Sequence, residues 1–99
     1  MLDCQIVELY WQRDERAISQ TDLKYGGYCR SISNNILRSY DESEECVNDS
    51  YLSAWNSMPT ERPERLGAYM GKIVRNISIS RLRQKTADKR GGGRIPPLP

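Results

Sequence analysis

A repeating apolar pattern in the last third of the chain restricts the folds that it can adopt. At 100° per residue, residues 66–77 put their apolar side chains on one side of a helix. These side chains are Leu66, Tyr69, Met70, Ile73, Val74 and Ile77. Polar and cationic residues fall on the opposite side, namely Arg65, Lys72, Arg75, Asn76 and Arg83. The pattern predicts a long helix with one face in a core and the other facing a negatively charged partner.

The rest of the chain also has helical periodicity, and no segment alternates as a strand would. We expect five helical stretches over approximately residues 3–12, 14–25, 28–39, 41–56 and 63–85 or beyond. The predicted fold is all-α, a compact bundle of four to five helices over residues 1–90. Residues 91–99, rich in Gly and Pro, are predicted to form a flexible linker.

Local signals set the expected helix boundaries. The Gly26-Gly27 pair predicts a stop or kink, and Asp41 or Ser43 is expected to cap the fourth helix. Pro63 suits the first turn of the last helix. Gly67 and Gly71 within that helix each cost about 1 kcal/mol relative to Ala, so we expect another helix or a ligand to approach closely there.

Composition excludes several classes of function. The chain has three widely spaced cysteines and no histidine, which argues against a zinc site and removes the commonest general base. Paired carboxylates such as Asp14/Glu15 lie at helix starts, where a capping role explains them. We therefore expect no enzymatic activity, metal, cofactor or small-molecule substrate. Cys4, Cys29 and Cys46 are predicted to be buried thiols in a reducing compartment.

No apolar run approaches the roughly 20 residues that a membrane span needs, so no membrane contact is expected. The N-terminus is acidic and has no cleavage site, which favours a cytoplasmic protein.

Charge is unevenly divided along the chain. Residues 1–61 carry five Lys/Arg against eleven Asp/Glu, and residues 62–99 carry ten Lys/Arg against two Asp/Glu. The division indicates either two different partners or internal neutralisation of one half by the other.

Three predicted surfaces are candidates for binding. The basic helix face offers phosphate contacts and an amide for a base edge, through Lys72, Arg75, Asn76, Ile79 and Arg83. The preceding loop and its flanks could bond an unstacked base, through Asn56, Ser57, Thr60, Arg62 and Arg65. The third surface is a stripe on the fourth predicted helix that suits a protein partner. It consists of Glu45, Asn48, Asp49 and Leu52. Ordinary solvated helix faces and a plain connecting loop remain the alternatives.

The order of these features resembles region 2 of extracytoplasmic-function sigma factors. SEECVNDSYLSAW (43–55) is similar to the acidic helix of that region, and ERLGAYMGKIVRNISISRLR (64–83) is similar to its basic helix. ELYWQRDERAISQTDLKYGGY (8–28) resembles its helical opening. The resemblance covers about residues 5–90. Three positions depart from the family pattern: Asn48 replaces a common Gln, Tyr69 a Trp and Ser80 an Asp.

The resemblance implies a non-enzymatic factor that binds core RNA polymerase and recognises the promoter minus-ten element as single-stranded DNA. Contact with the clamp helices of the largest polymerase subunit would fall to Glu45, Asn48, Asp49 and Leu52. An extruded base would be held by residues 56–65, and the DNA backbone by the basic helix face. The resemblance also implies a further C-terminal region after the linker. The alternative is a sigma-like interaction module that binds an anti-sigma factor or another acidic protein without reading a promoter.

Overall fold

The computed structural model describes residues 1–58 and 60–91, with side chains up to residue 87. Over these residues the chain forms four helices: α1 (Asp3–Trp11), α2 (Arg16–Leu37), α3 (Tyr40–Ser57) and α4 (Leu66–Gly91). The three long helices pack against one another in every pairing, and α1 packs mainly on α2. The predicted all-α bundle is confirmed, and the described residues contain no strand. The predicted linker beyond Gly91 lies outside the described residues.

The core is built from the apolar faces of all four helices. On α4 most of the predicted face is confirmed, because Leu66, Met70 and Val74 are fully buried and Tyr69 and Ile73 pack against the core. Ile77, the last residue of that face, is half-buried and borders a surface pocket instead, because it lies beyond the core cluster. The other helices contribute Ile6, Val7, Tyr10, Ala17, Cys29, Val47, Tyr51, Ala54 and Met58. Burial of these side chains is what holds the helices together in water.

The predicted break at Gly26-Gly27 is wrong, because α2 runs through both glycines without interruption. Gly26 is buried beneath Asp22 and Arg30, whose side chains fill the space that a Cβ would take. Packing of α2 against α3 and α4 therefore outweighs the low helix propensity of two glycines. The helix ends instead at Arg38, whose φ of 56° gives the left-handed cap conformation.

Two other helix starts differ from the expectation. Ser39, and not Asp41 or Ser43, caps α3, since its hydroxyl accepts a hydrogen bond from the Glu42 N–H at 3.3 Å. α4 begins at Leu66 and not at Pro63, and the Leu66 N–H donates to the Asp3 carboxylate at 3.2 Å. A side chain more than 60 residues away in sequence therefore satisfies this helix start.

The predicted close approaches to the α4 glycines are confirmed. A Cβ on Gly67 would lie 2.8 Å from the Tyr25 ring, and one on Gly71 would lie 3.0 Å from the Tyr28 hydroxyl.

Of the three cysteines, Cys29 and Cys46 are buried as expected, but Cys4 is exposed because it lies on the outer side of the short α1. Within the described part of the chain, none of the helices is long and apolar enough to cross a membrane.

Candidate nucleic-acid interface

A surface pocket lies where the end of α3, the following loop and the first turns of α4 meet. We call it the junction pocket; its volume is about 580 Å³. It is lined by Ser53, Ser57, Glu61, Arg62, Pro63, Tyr69, Lys72, Ile73 and Asn76. Four of the residues predicted to bind DNA, namely Ser57, Arg62, Lys72 and Asn76, thus share one concave site.

The α3–α4 loop starts as a tight continuation of α3. The backbone N–H groups of Thr60 and Glu61 donate to the Ser57 carbonyl at 3.1 and 3.2 Å, and the Thr60 hydroxyl donates to the same oxygen at 2.9 Å. These bonds satisfy the carbonyl of Ser57, the last residue of α3, which otherwise has no helical partner. The Thr60 hydroxyl is therefore occupied by the backbone and does not line the junction pocket.

Glu61 is fixed at two points. Its backbone carbonyl accepts a hydrogen bond from the Trp11 indole N–H at 2.8 Å, and its carboxylate Oε1 accepts one from the Tyr69 hydroxyl at 2.8 Å. Burial, together with this bond to a carboxylate, raises the pKa of Tyr69 to about 12. Tyr69 therefore stays protonated at neutral pH and continues to donate.

The exposed face of α4 extends the basic surface beyond the junction pocket. Arg65, Lys72, Arg75 and Arg83 are exposed, and no described residue forms an ion pair with any of them. Asn76 is exposed on the same face, where Ile79 is half-buried. These cations are therefore available to phosphate groups.

Internal neutralisation of charge occurs at both ends of the basic half. Arg81 pairs with Glu45 at 2.6 Å and Lys85 pairs with Glu42 at 3.0 Å, both across the contact between α3 and α4. At the junction pocket Arg62 pairs with Glu8 at 3.1 Å, but Lys72 forms no ion pair with any described residue. The alternative that the acidic half neutralises the basic half thus holds for only part of the basic half.

The stripe predicted on the fourth helix lies on the solvent side of α3. Glu45, Asn48, Asp49 and Leu52 are all exposed, and Leu52 keeps 58% of its surface accessible. Asn48 and Leu52 border a groove of about 590 Å³ between α2 and α3, which we call the α2–α3 groove. Asp49 lies on the other side, towards α4, and Glu45 is held there by Arg81.

The family model described as Sigma-70 region 2 matches residues 23–87, about two thirds of the chain. The chain belongs to the sigma-70 region 2 family. Comparison with curated proteins and with solved structures gives no match. Sigma-70 region 2 is a non-enzymatic transcription-factor domain that takes part in RNA polymerase binding and promoter melting. The matched segment begins inside α2 and includes α3, the loop, the junction pocket and most of α4.

In this sigma region 2 domain, the predicted DNA-binding residues form one concave group and one extended group. Asn56, Thr60 and Arg65 flank the junction pocket without lining it, and Arg75, Ile79 and Arg83 continue along α4. The sequence interpretation singled out none of the other five lining residues for binding, although Glu61 and Pro63 lie within the segment 56–65 that the resemblance assigned to the base. The five are Ser53, Glu61, Pro63, Tyr69 and Ile73. Tyr69 and Ile73 were assigned to the core because of their apolar spacing, and their half-burial lets them serve both core and pocket.

Proposed function

We propose that this domain binds core RNA polymerase through the exposed face of α3 and holds the single-stranded minus-ten element of a promoter along α4. One unstacked base of that strand enters the junction pocket. The polymerase partner is the pair of clamp helices of the largest subunit, which meet Glu45, Asn48, Asp49 and Leu52. No reaction is catalysed; binding energy alone favours the opened strand.

The junction pocket is the observation that carries this proposal. Its volume of about 580 Å³ falls within the range of roughly 300–1,000 Å³ typical of small-ligand sites. Its walls combine an aromatic ring, Tyr69, with amide, hydroxyl and cationic groups. Stacking on an aromatic ring stabilises a single-stranded base by about 1–3 kcal/mol, and polar groups around the ring can distinguish base edges.

The cations on α4 and the junction pocket have different roles in the proposed DNA binding. Lys72 lies at the pocket wall and Arg75 one turn further on, and both are exposed. Such residues bind phosphates of any sequence, whereas Asn76 carries both a donor and an acceptor that can match a base edge. Lys72 and Arg75 should therefore determine affinity, and the pocket should determine which sequence is preferred.

Selection from a pool of single-stranded DNA with a randomised central segment tests this proposal. The enriched strand should bind at least about tenfold more tightly than its scrambled version at the same salt concentration, measured by fluorescence anisotropy. Asn76→Ala should reduce this ratio, because it removes a base contact. Lys72→Gln should weaken both strands equally, because it removes a phosphate contact.

Asn34→Ala is the matched control, since Asn34 is exposed on α2 and lines none of the described pockets. This substitution should change neither the affinity for single-stranded DNA nor the ratio of affinities for the enriched and the scrambled strand. Equal affinity of the unmodified protein for enriched and scrambled strands would remove sequence reading from the proposal. Loss of the ratio in Asn34→Ala as well would show that the junction pocket is not its source.

A further inference from the structure

The short helix α1 contacts the α3–α4 loop although it precedes the segment that matches the sigma family. The match begins at residue 23, whereas α1 covers Asp3–Trp11. Its last turn carries Trp11, whose indole N–H donates to the Glu61 carbonyl at 2.8 Å. This bond joins residues 50 apart in sequence and fixes the loop backbone at the pocket wall.

The next loop residue, Arg62, is held by the same helix. One of its guanidinium nitrogens lies 3.1 Å from a Glu8 carboxylate oxygen, and the guanidinium carbon lies 4.4 Å from the centre of the Trp11 ring. A charge pair and a stacked indole constrain both the direction and the plane of a guanidinium group. Arg62 therefore faces the junction pocket in one orientation.

α1 also fixes the far end of the loop. The Asp3 carboxylate accepts hydrogen bonds from the Leu66 N–H at 3.2 Å and from the Tyr25 hydroxyl at 2.7 Å. Because Asp3 and Trp11 lie at opposite ends of α1, a single helix contacts the loop both at Glu61 and at the start of α4. Contacts within the loop itself could not fix it in this way, since they would move with it.

We propose that Trp11 and Glu8 are positioning residues that act through Glu61 and Arg62 to set the base preference of the junction pocket. The inference rests on the proposed function, because it presumes that a base of single-stranded DNA enters the pocket. α1 itself need not touch DNA. Its role is to hold two loop residues where they meet the base in a fixed geometry, which reduces the ordering cost on binding.

A competing effect of Glu8 predicts a different result, namely stronger binding with an unchanged ratio between the two strands. If Glu8 merely neutralised Arg62, removing its charge would release a cation and strengthen binding to every strand. If Glu8 positions Arg62, its removal should lower the binding ratio between the enriched and the scrambled strand. The two effects are separable because the ratio cancels any general change in charge.

The test uses the full chain with Glu8→Gln, Trp11→Phe and the control Glu15→Gln. Glu15 is exposed before α2, outside the α3–α4 loop, and its carboxylate has no described partner, so its substitution makes the same charge change away from the junction pocket. Glu8→Gln and Trp11→Phe should each lower the ratio by about threefold. Glu15→Gln should leave it unchanged. The melting temperature of Glu8→Gln should stay near that of the unmodified protein, because an exposed pair contributes little to stability.

A double-mutant cycle distinguishes positioning from a general effect on the fold. In an Arg62→Gln background, Glu8→Gln should cause no further fall in the ratio, since its target is gone. An unchanged or higher ratio in both Glu8→Gln and Trp11→Phe would overturn the inference while leaving the proposed function standing. An unmodified protein with no preference for the enriched strand would instead overturn the proposed function, and this inference with it.

Discussion

Gly27 and Gly67 have the same chemistry but opposite surroundings. Gly27 lies in the middle of α2, and a Cβ added there would meet no atom within 4 Å. Gly67 lies at the start of α4, and its Cβ would come within 2.8 Å of the Tyr25 ring. That ring cannot easily withdraw, because its hydroxyl donates to the Asp3 carboxylate. Gly67 is therefore required by packing, whereas Gly27 is not.

Replacing each glycine with alanine should give stability changes of opposite sign. Gly27→Ala should raise the free energy of unfolding by about 0.5–1 kcal/mol, because alanine lowers the entropy of the unfolded chain and favours the helix. Gly67→Ala should lower it by about 1–3 kcal/mol, because the new methyl group displaces the Tyr25 ring. Urea denaturation followed by circular dichroism measures both. Destabilisation by Gly27→Ala would mean that this exposed face of α2 has a packing partner.

Spacing alone predicted the residues that a helix buries, but not the contacts that a helix makes with distant segments. The 3.6-residue period correctly identified Leu66, Met70 and Val74 as core, because it depends only on the geometry of one helix. The continuity of α2 through Gly26-Gly27 depends instead on packing against α3 and α4. The bond between Trp11 and Glu61 likewise exists only once the bundle has formed.

The candidate site, like the fold, could be predicted from the sequence only in part. Cations and amides on the outer face of α4 were visible as a pattern, so Lys72 and Asn76 could be proposed from the sequence. The concave shape could not, because it arises where the end of α3, the loop and α4 converge. Glu61 lay within the predicted loop segment 56–65 but was not singled out, since nothing in its local sequence indicates that Tyr69 and Trp11 hold it.

At the scale of elements, one carboxylate of α1 contacts two other helices, in addition to the burial of Ile6, Val7 and Tyr10 in the core. Asp3 accepts hydrogen bonds from Lys24 at 2.8 Å, from the Tyr25 hydroxyl and from the Leu66 N–H. Partial burial alone raises the pKa of Asp3, but these donors outweigh it, so that the pKa lies below its ordinary value. The charged form of Asp3 therefore links α1, α2 and α4.

The contribution of Asp3 to stability should depend on pH with a definite sign. Since the pKa of Asp3 is lower in the folded protein than in the unfolded chain, the stabilisation is complete above the unfolded value of about 3.8 and is lost as the pH falls through the folded value. At about pH 7, Asp3→Asn should lower the free energy of unfolding by about 1–2 kcal/mol. The difference from the unmodified protein should shrink below about pH 4.

Denaturant titrations across this pH range measure the effect, with Asp49→Asn as the matched control. Asp49 is exposed on α3 and forms no ion pair with any described residue, so its substitution should have little effect on stability at any pH. An Asp3→Asn difference that stayed constant from about pH 7 to about pH 3 would contradict the prediction. It would mean that the side chain stabilises the fold through its shape and not through its charge.

At the scale of the whole molecule, the division between an acidic and a basic half of the sequence is only partly preserved in space. Ion pairs join the halves at Glu42–Lys85, Glu45–Arg81 and Glu8–Arg62. The exposed residues that form no ion pair with a described residue include Lys72 and Arg75 on α4, and Asp49 on α3. Asp49 borders a surface pocket that Asn76 of α4 also lines, whereas the exposed Leu52 borders the α2–α3 groove. The proposed protein-binding and nucleic-acid-binding surfaces are therefore neighbours along α3 and α4.

The proposed polymerase contact should therefore depend on Asp49 and Leu52 more than on Glu45, whose carboxylate Arg81 already occupies at 2.6 Å. Asp49→Lys should weaken binding to isolated clamp helices of the largest RNA polymerase subunit by more than about tenfold. Leu52→Ser should weaken it similarly, because it removes the apolar anchor. Surface plasmon resonance with immobilised clamp helices measures both, and neither change should weaken binding to single-stranded DNA.

Asp41→Lys separates a specific contact from general attraction between opposite charges. Asp41 is exposed in the first turn of the same helix, so its reversal changes the net charge by the same amount two turns away from Asp49. If the contact is specific, Asp41→Lys should retain most of the affinity for the clamp helices. Added salt should then change the affinity of Asp49→Lys and that of the unmodified protein by different factors. Equal losses in Asp41→Lys and Asp49→Lys would indicate that clamp helices are attracted to the whole acidic face. In that case Leu52→Ser would bind as well as the unmodified protein, and α3 would offer no defined docking site.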